Sequence, residues 1–168
     1  VIAHADTMID ATDMLAKAGS VTADSVTIYN STLTAGDGNA TIENTQVVNA
    51  VTLIATDEAF LTAGKIDDAT ATAKKVTIES DSATVATIAP EVAINNSGDV
   101  IVNDLYADAV TTVTATATKT LTLTSVGDVE GTVEAETFII KGADSASFET
   151  TVDNLSVNGV LGDAGISN

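Results

Sequence analysis

The chain has 168 residues, 45% of them hydrophobic, and 24 acidic residues against six lysines give a net charge of −18. This length allows one domain with a sizeable core, and the apolar content excludes a disordered acidic tail. Arginine is absent, so the clustered cations that nucleic acid and anionic lipid require are missing. No apolar run reaches the roughly 18 residues of a membrane span, so membrane insertion is not expected.

Catalytic motifs are scarce in this sequence. Cysteine is absent and His4 is the only histidine, which excludes disulfides and the common zinc sites. Neither a glycine-rich nucleotide-binding motif nor a serine nucleophile elbow occurs. The sequence therefore predicts that the protein is not an enzyme.

The first twenty residues differ in pattern from the rest. Apolar side chains recur there at three- and four-residue spacing, at Met8, Ala11, Leu15 and Ala18. This spacing indicates one helical face, with Asp6 as the capping residue. We predict a helix over about residues 6–18, which makes residues 1–20 a cap or docking element ahead of one all-β domain over 21–168.

From Val21 onward the apolar period is two, which is typical of strands. The predicted strands are 26–34, 40–42, 47–54, 59–62, 70–78, 83–88, 100–103, 110–126, 129–140 and 148–157. Residues typical of turns separate them at 35–39, 63–68, 79–82, 95–99, 126–128, 141–145 and 157–163.

Two architectures fit this pattern. In a β-solenoid, coils of roughly 17 to 20 residues stack at a strand spacing of about 4.8 Å and bury columns of aliphatic side chains. The alternative is an antiparallel β-sandwich, which the hairpin-like pair Asp37–Gly38 and the long run 110–126 favour. We prefer the solenoid with an N-terminal capping or docking helix.

Threonine occupies every even position from Thr112 to Thr124, and Lys119 interrupts the apolar residues between them. The alternation predicts an extended segment with its hydroxyl side toward solvent. A charge in the apolar row predicts a bend near residues 118–120. An ice-binding face would need such T-x-T rows in register on successive coils, and only Thr70–Thr72 offers a second strong instance.

Acidic pairs in predicted turns are the candidate metal ligands. Their hard oxygen atoms suit weak calcium binding, and the candidates are Asp37, Asp57, Glu58, Asp67 and Asp68. Such pairs could also perform acid/base chemistry on a glycan, but the chain has neither arginine nor tryptophan to hold a sugar. We expect no cofactor other than calcium.

Four Asn-x-Ser/Thr sequons are candidate glycosylation sites: Asn30, Asn39, Asn95 and Asn154. The sequence begins with Val1 rather than methionine, as a mature product would after removal of a leader peptide. Both features favour an extracellular or cell-surface location.

The segments Ala55–Ser80 and Leu123–Gly142 resemble acidic, Thr/Val/Ala-rich, cysteine-free surface proteins of prokaryotes. These include surface-layer, sheath and filament subunits, and filamentous-haemagglutinin-type β-solenoid adhesins. The resemblance lies in composition and texture, and it implies a non-enzymatic, exported and repetitive scaffold.

Long, uncharged, β-prone runs usually aggregate, yet this chain keeps such a run over 110–126 with Lys119 as its single charge. We therefore expect a structural subunit that self-assembles with copies of itself, through strand pairing, into an extracellular filament, sheath or surface layer. The alternative is an adhesin, or a solenoid module that binds glycans or proteins at the cell surface.

Overall fold

The computed structural model describes residues 1–107 and 109–167 and, for Asn96, the backbone alone. All the strands and helices that the structure describes in these ranges are β-strands, so these ranges contain no helix. The strands are β1 (Ile2–Asp10), β2 (Asp13–Ala16), β3 (Val21–Tyr29), β4 (Thr32–Ala35), β5 (Ala40–Ala55), β6 (Glu58–Thr72), β7 (Lys75–Ile88), β8 (Glu91–Ser97), β9 (Asp99–Asp104), β10 (Thr111–Ala117), β11 (Thr120–Ser125), β12 (Val129–Lys141), β13 (Ala146–Asn158) and β14 (Ala164–Ser167).

These strands form a parallel β-solenoid of about 9 turns. Each strand pairs in parallel with the equivalent strand of the next coil, so one position recurs every 16 to 21 residues. The recurring positions along one such ladder are Ile2, Thr22, Thr41, Phe60, Thr77, Ala93, Thr114, Thr132, Glu149 and Ser167. The solenoid prediction is confirmed. In the described residues the only antiparallel pairing is an isolated bridge between Gly19 and Asp37, so the sandwich alternative is wrong.

The strands hydrogen-bond into one 14-stranded sheet that winds around the core, and at the corners of the coils we divide it into two sides, called the first and the second sheet. The first sheet contains β8, β10, β14 and the leading parts of β1, β3, β5, β6, β7, β12 and β13. The second sheet contains β2, β4, β9, β11 and the remaining parts of the long strands. Phe148 of the first sheet meets Phe138 of the second edge to face, with ring centroids 5.2 Å apart. Inward side chains of both sheets therefore share one core.

Aliphatic columns fill this core. One inward column of the second sheet contains Ile28, Val48, Ile66, Ala83, Val100, Leu121 and Phe138, and all are buried. Burying one such large aliphatic or aromatic side chain contributes about 1.5–3 kcal/mol. The period-two pattern in the sequence is the alternation between these columns and the outward side chains.

Buried hydroxyls stabilise the corners of the coils. Thr45 Oγ1 donates a hydrogen bond to the Glu43 carbonyl at 2.9 Å. Ser97 Oγ makes the same contact two residues back, to the Asn95 carbonyl at 3.3 Å. Short polar side chains can satisfy backbone groups that a bend removes from the ladder, and this explains why Ser and Thr occupy inward positions there.

The predicted helix over residues 6–18 is wrong. This segment forms β1 and β2, which pair with β3 and β4 as the first coil of the solenoid. Ile9 and Met14 are buried, whereas Met8 and Leu15, which were assigned to the helical face, are about half exposed. A single helix of this length is marginal alone, and pairing with an existing strand edge satisfies the same backbone groups.

The bend predicted near residues 118–120 is confirmed. β10 ends at Ala117 in the first sheet, and β11 begins at Thr120 in the second. Lys119 lies at the corner between them, exposed, with its Nζ 3.7 Å from Asp99 Oδ2. The turns predicted at 63–68 and 79–82 are instead corners that β6 and β7 pass through without a break.

Candidate functional surfaces

The outward side of the first sheet is strongly acidic, and we call it the acidic face. Its carboxylates belong to Asp24, Glu43, Glu58, Glu79, Glu91, Glu130, Glu134 and Glu149. Lys75 is the only lysine among the described outward residues of the first sheet, since the exposed Lys65 and Lys141 lie on the parts of β6 and β12 that belong to the second sheet. A surface of this charge attracts cations and repels other acidic molecules.

Open grooves cross the C-terminal half of the acidic face. One, of about 450 Å³, is lined by hydroxyls of Thr114 and Thr132 and by carboxylates of Glu134 and Glu149. A neighbouring groove of about 790 Å³ extends it toward Asp153. Hydroxyls and carboxylates in a shallow groove can contact a cation or a sugar, but both grooves are open to solvent.

Two lysines neutralise acids of neighbouring coils beside this face. Lys74 Nζ lies 2.8 Å from Asp57 Oδ1, and Lys75 Nζ lies 2.8 Å from Glu91 Oε1. The hydrogen bond to Asp57 raises the pKa of Lys74, and that to Glu91 raises the pKa of Lys75. Because the pairs join residues 16 or 17 positions apart in sequence, they connect successive coils.

The outward side of the second sheet contains a surface without charge, which we call the neutral face. It extends over six successive coils, two residues wide in the first three and three wide in the others. Its members are Thr32, Thr34, Thr52, Ile54, Thr70, Thr72, Thr84, Ala86, Ile88, Ile101, Asn103, Leu105, Thr122, Thr124 and Val126. Asp99 and Lys119, at one margin, are paired with each other, and Asp13 and Lys141 adjoin the face at its two axial ends.

The neutral face was missed in the sequence. Its rows Thr32–Thr34, Thr52–Ile54 and Thr70–Thr72 lie in register on successive coils. The threonine run of 112–124 is divided: residues 112–116 lie on the acidic face, and 120–124 on the second sheet. Coil lengths vary, so only the paired register reveals which rows are neighbours.

The five calcium candidates fall into two groups. Asp37, Asp57 and Glu58 lie near Lys74, and the Lys74 ammonium is hydrogen-bonded to Asp57. Asp67 and Asp68 lie at a corner of β6, where Lys65 Nζ contacts Asp67 Oδ1 at 2.6 Å. Among the described residues no cluster of three acids or histidines is close enough to hold a metal ion.

Three of the four sequon asparagines, Asn30, Asn95 and Asn154, are exposed. The fourth, Asn39, is half-buried, and its Oδ1 accepts a hydrogen bond from the Glu58 amide at 3.2 Å. Asn30 Nδ2 donates to Asp10 Oδ1 at 3.1 Å on the surface. Attachment of a glycan is therefore sterically simplest at the three exposed positions.

The fold places this chain among the parallel β-solenoids. Comparison with protein-family models, with curated proteins and with solved structures found no match. Within the described residues, no helix is long and apolar enough to cross a membrane.

Proposed function

We propose that the chain is a non-enzymatic structural subunit that self-assembles by strand pairing into an extracellular filament, sheath or surface layer. The observation that carries this proposal is the uncovered inward side of β13. Leu155 and Val157 are 42% and 40% exposed, whereas Phe138 and Ile140, at the same positions one coil earlier, are 0% exposed. These two side chains lie on the last full coil of the described residues.

The backbone of the same segment is also available. β14 pairs with Ala146–Glu149 of β13, so no described strand follows residues 154–158 along the axis. An unpaired strand edge presents N–H and C=O groups to which another strand can add. Strand addition there would bury the remaining two fifths of Leu155 and Val157, which contributes about 0.6–1.2 kcal/mol for each side chain.

The two ends of the stack are not equivalent. At the first coil the inward side chains Ile9 and Met14 are only 7% and 6% exposed. Addition of the first coil of one copy to the last coil of another is a heterologous contact, which repeats without closing and generates a fibre. β14 extends the first sheet one level beyond the second. Full pairing along both sheets therefore requires β14 of one copy, or the start of β1 of the incoming copy, to detach from its place.

Electron microscopy and light scattering of the purified chain test this proposal. We expect fibres or sheets at high protein concentration, and their loss in a Leu155→Lys/Val157→Lys variant, because inward charges block strand addition. Val26→Lys is the matched control, since Val26 is also 40% exposed but does not lie on that edge. A parent chain that stays a monomer, even with calcium added, contradicts the proposal.

Exposure of Asn30, Asn95 and Asn154 supports the extracellular location, and mass spectrometry of glycopeptides from the native source tests it. Occupied sequons support export. Unmodified asparagines at all three positions would remove this support.

The open grooves of the acidic face favour a second candidate, an adhesin or binding module. It predicts a monomer that binds a glycan or a host protein. Screening the Leu155→Lys/Val157→Lys variant against glycans and host proteins separates the two candidates, because only a binding module is expected to bind one of them as a monomer.

A further inference from the structure

The neutral face is unusual in a chain of net charge −18, because none of its fifteen outward side chains is ionisable. Five large aliphatic residues on it are 38% to 50% exposed: Ile54, Ile88, Ile101, Leu105 and Val126. The other ten residues are eight threonines, Ala86 and Asn103, so the face combines exposed aliphatic side chains with hydroxyls and carries no charge. An exposed surface that contains such aliphatic side chains is a candidate contact with another molecule.

Opposite charges lie at the two axial ends of this face, in one column of paired residues. The column contains Asp13, Thr32, Thr52, Thr70, Ala86, Asn103, Thr124 and Lys141. Asp13 and Lys141 are exposed, and neither has an ion-pair partner among the described residues. An uncharged column is therefore terminated by one anion and one cation.

This arrangement is self-complementary. A two-fold axis along the strands, between the levels of Thr70 and Ala86, reverses the order of the eight levels in a second copy. It sets Asp13 of each copy against Lys141 of the other and gives two opposite-charge contacts. It also sets Ile54 opposite Leu105. With the two solenoid axes parallel, Asp13 would lie opposite Asp13 and Lys141 opposite Lys141, and these like charges would repel each other.

We propose that the neutral face binds the same face of a second copy, with the two solenoid axes antiparallel. This pairing goes beyond strand addition at the ends and does not depend on it. Where both occur, the lateral contact joins two fibres along their length.

The size of the face sets the strength of the contact. Six coils at about 4.8 Å and two to three residue columns at about 7 Å give roughly 500 Å² per copy, or roughly 1,000 Å² in total. Stable complexes bury about 1,200–2,000 Å², and weak or transient ones bury less. We expect a reversible dimer with a micromolar dissociation constant.

Sedimentation velocity over a range of concentrations tests the pairing, with Leu155→Lys/Val157→Lys as the parent. This background removes end addition, and the changed residues do not belong to the neutral face. Failure of lateral pairing is therefore distinguished from failure of fibre formation. A concentration-dependent monomer–dimer equilibrium supports the proposal, and a monomer at all concentrations overturns it.

Charge reversal tests the antiparallel register. Asp13→Lys or Lys141→Asp alone converts two attractive contacts into repulsive ones and should weaken the dimer about tenfold. The double variant Asp13→Lys/Lys141→Asp should restore it. Single changes without effect, or a double variant that stays weak, overturn this register.

A central charge provides the second variant. Thr70→Asp places a carboxylate in the middle of the paired faces and should abolish the dimer, whereas Thr22→Asp, on the acidic face, should not. Circular dichroism checks that both variants fold. A dimer that tolerates Thr70→Asp overturns the proposal. The proposal is also overturned if the monomer inhibits ice growth and the Thr70→Asp variant does not, because the neutral face would then bind ice rather than a second copy.

Discussion

Ser125 Oγ donates a hydrogen bond of 2.8 Å to Asp104 Oδ2 inside the core, between adjacent coils of the second sheet. The second carboxylate oxygen of Asp104 accepts the Tyr106 amide at 3.1 Å. Asp104 is the only acid among the described residues that is completely buried. Both of its oxygens are engaged, so this contact stabilises the chain as it leaves β9.

Replacement of Asp104 should be costly. Asp104→Ala removes the acceptor of the Tyr106 amide and leaves the Ser125 hydroxyl only the Gly127 carbonyl, 3.4 Å away. We expect a total cost of about 1–3 kcal/mol. Asp104→Asn retains one carbonyl oxygen and should cost less. Urea unfolding measures both variants, and an Asp104→Ala chain as stable as the parent would contradict this reading.

Thr87→Val should leave the stability unchanged or raise it by about 1 kcal/mol. Thr87 is fully buried, and its Oγ1 has no hydrogen-bond partner among the described residues. A methyl group in place of an unpaired hydroxyl removes a desolvation cost. Thr45→Val is the matched control, because it removes the 2.9 Å bond to Glu43. Thermal unfolding should rank Thr45→Val below the parent.

Gly131→Ala should destabilise the fold by about 3 kcal/mol, since residues held in disfavoured backbone conformations cost about 1–3 kcal/mol and overlap adds to this. Gly131 has φ +145°, and a Cβ there would overlap the Val113 carbonyl. Gly165→Ala is the control, because the nearest atom to its Cβ would be 3.9 Å away. Equal unfolding midpoints for the two variants would contradict the prediction.

The contact of Lys75 with Glu91 predicts a pH dependence. The hydrogen bond from Lys75 to Glu91 raises the pKa of Lys75 above 10.5 in the folded chain. Its stabilising contribution is therefore complete below pH 10.5 and is lost as the pH rises through the folded value. Glu91→Gln should be less stable than the parent at neutral pH, and the difference should vanish in strong alkali. A constant difference across a pH series of thermal unfolding curves would exclude this origin.

The sequence was sufficient for an all-β chain, because period-two alternation and frequent turn residues reflect the local geometry of each coil. It favoured the solenoid but left the sandwich open, since the parallel registers decide between the two. It also located the bend at Lys119, since a charge in an inward row has to reach solvent. The N-terminal helix failed because Met8 and Leu15 fit a helical spacing as well as they fit the outward positions of strands. The pairing of β1 with β3 and of β2 with β4 favours strands over a helix. This pairing is between residues far apart in the sequence, so the local pattern does not show it.

The surfaces were harder to predict. The neutral face draws on residues from Thr32 to Val126, and its continuity depends on coils whose length varies from 16 to 21 residues. Asp13 and Lys141 are 128 positions apart in the sequence, so their common column appears only when every register between them is known. The acidic pairs, by contrast, were visible, but Lys74, which is paired with Asp57, comes from another coil.

Charge and neutrality on opposite sheets also give the molecule a transverse electric dipole moment. On a cationic support, such as an amine-coated grid or a positively charged polymer, the solenoid should settle with its carboxylate-bearing sheet downward and its long axis in the plane of the support. The aliphatic and hydroxyl side would then point away from the support. A single layer deposited in this way would turn a hydrophilic substrate into one with a partly apolar outer surface.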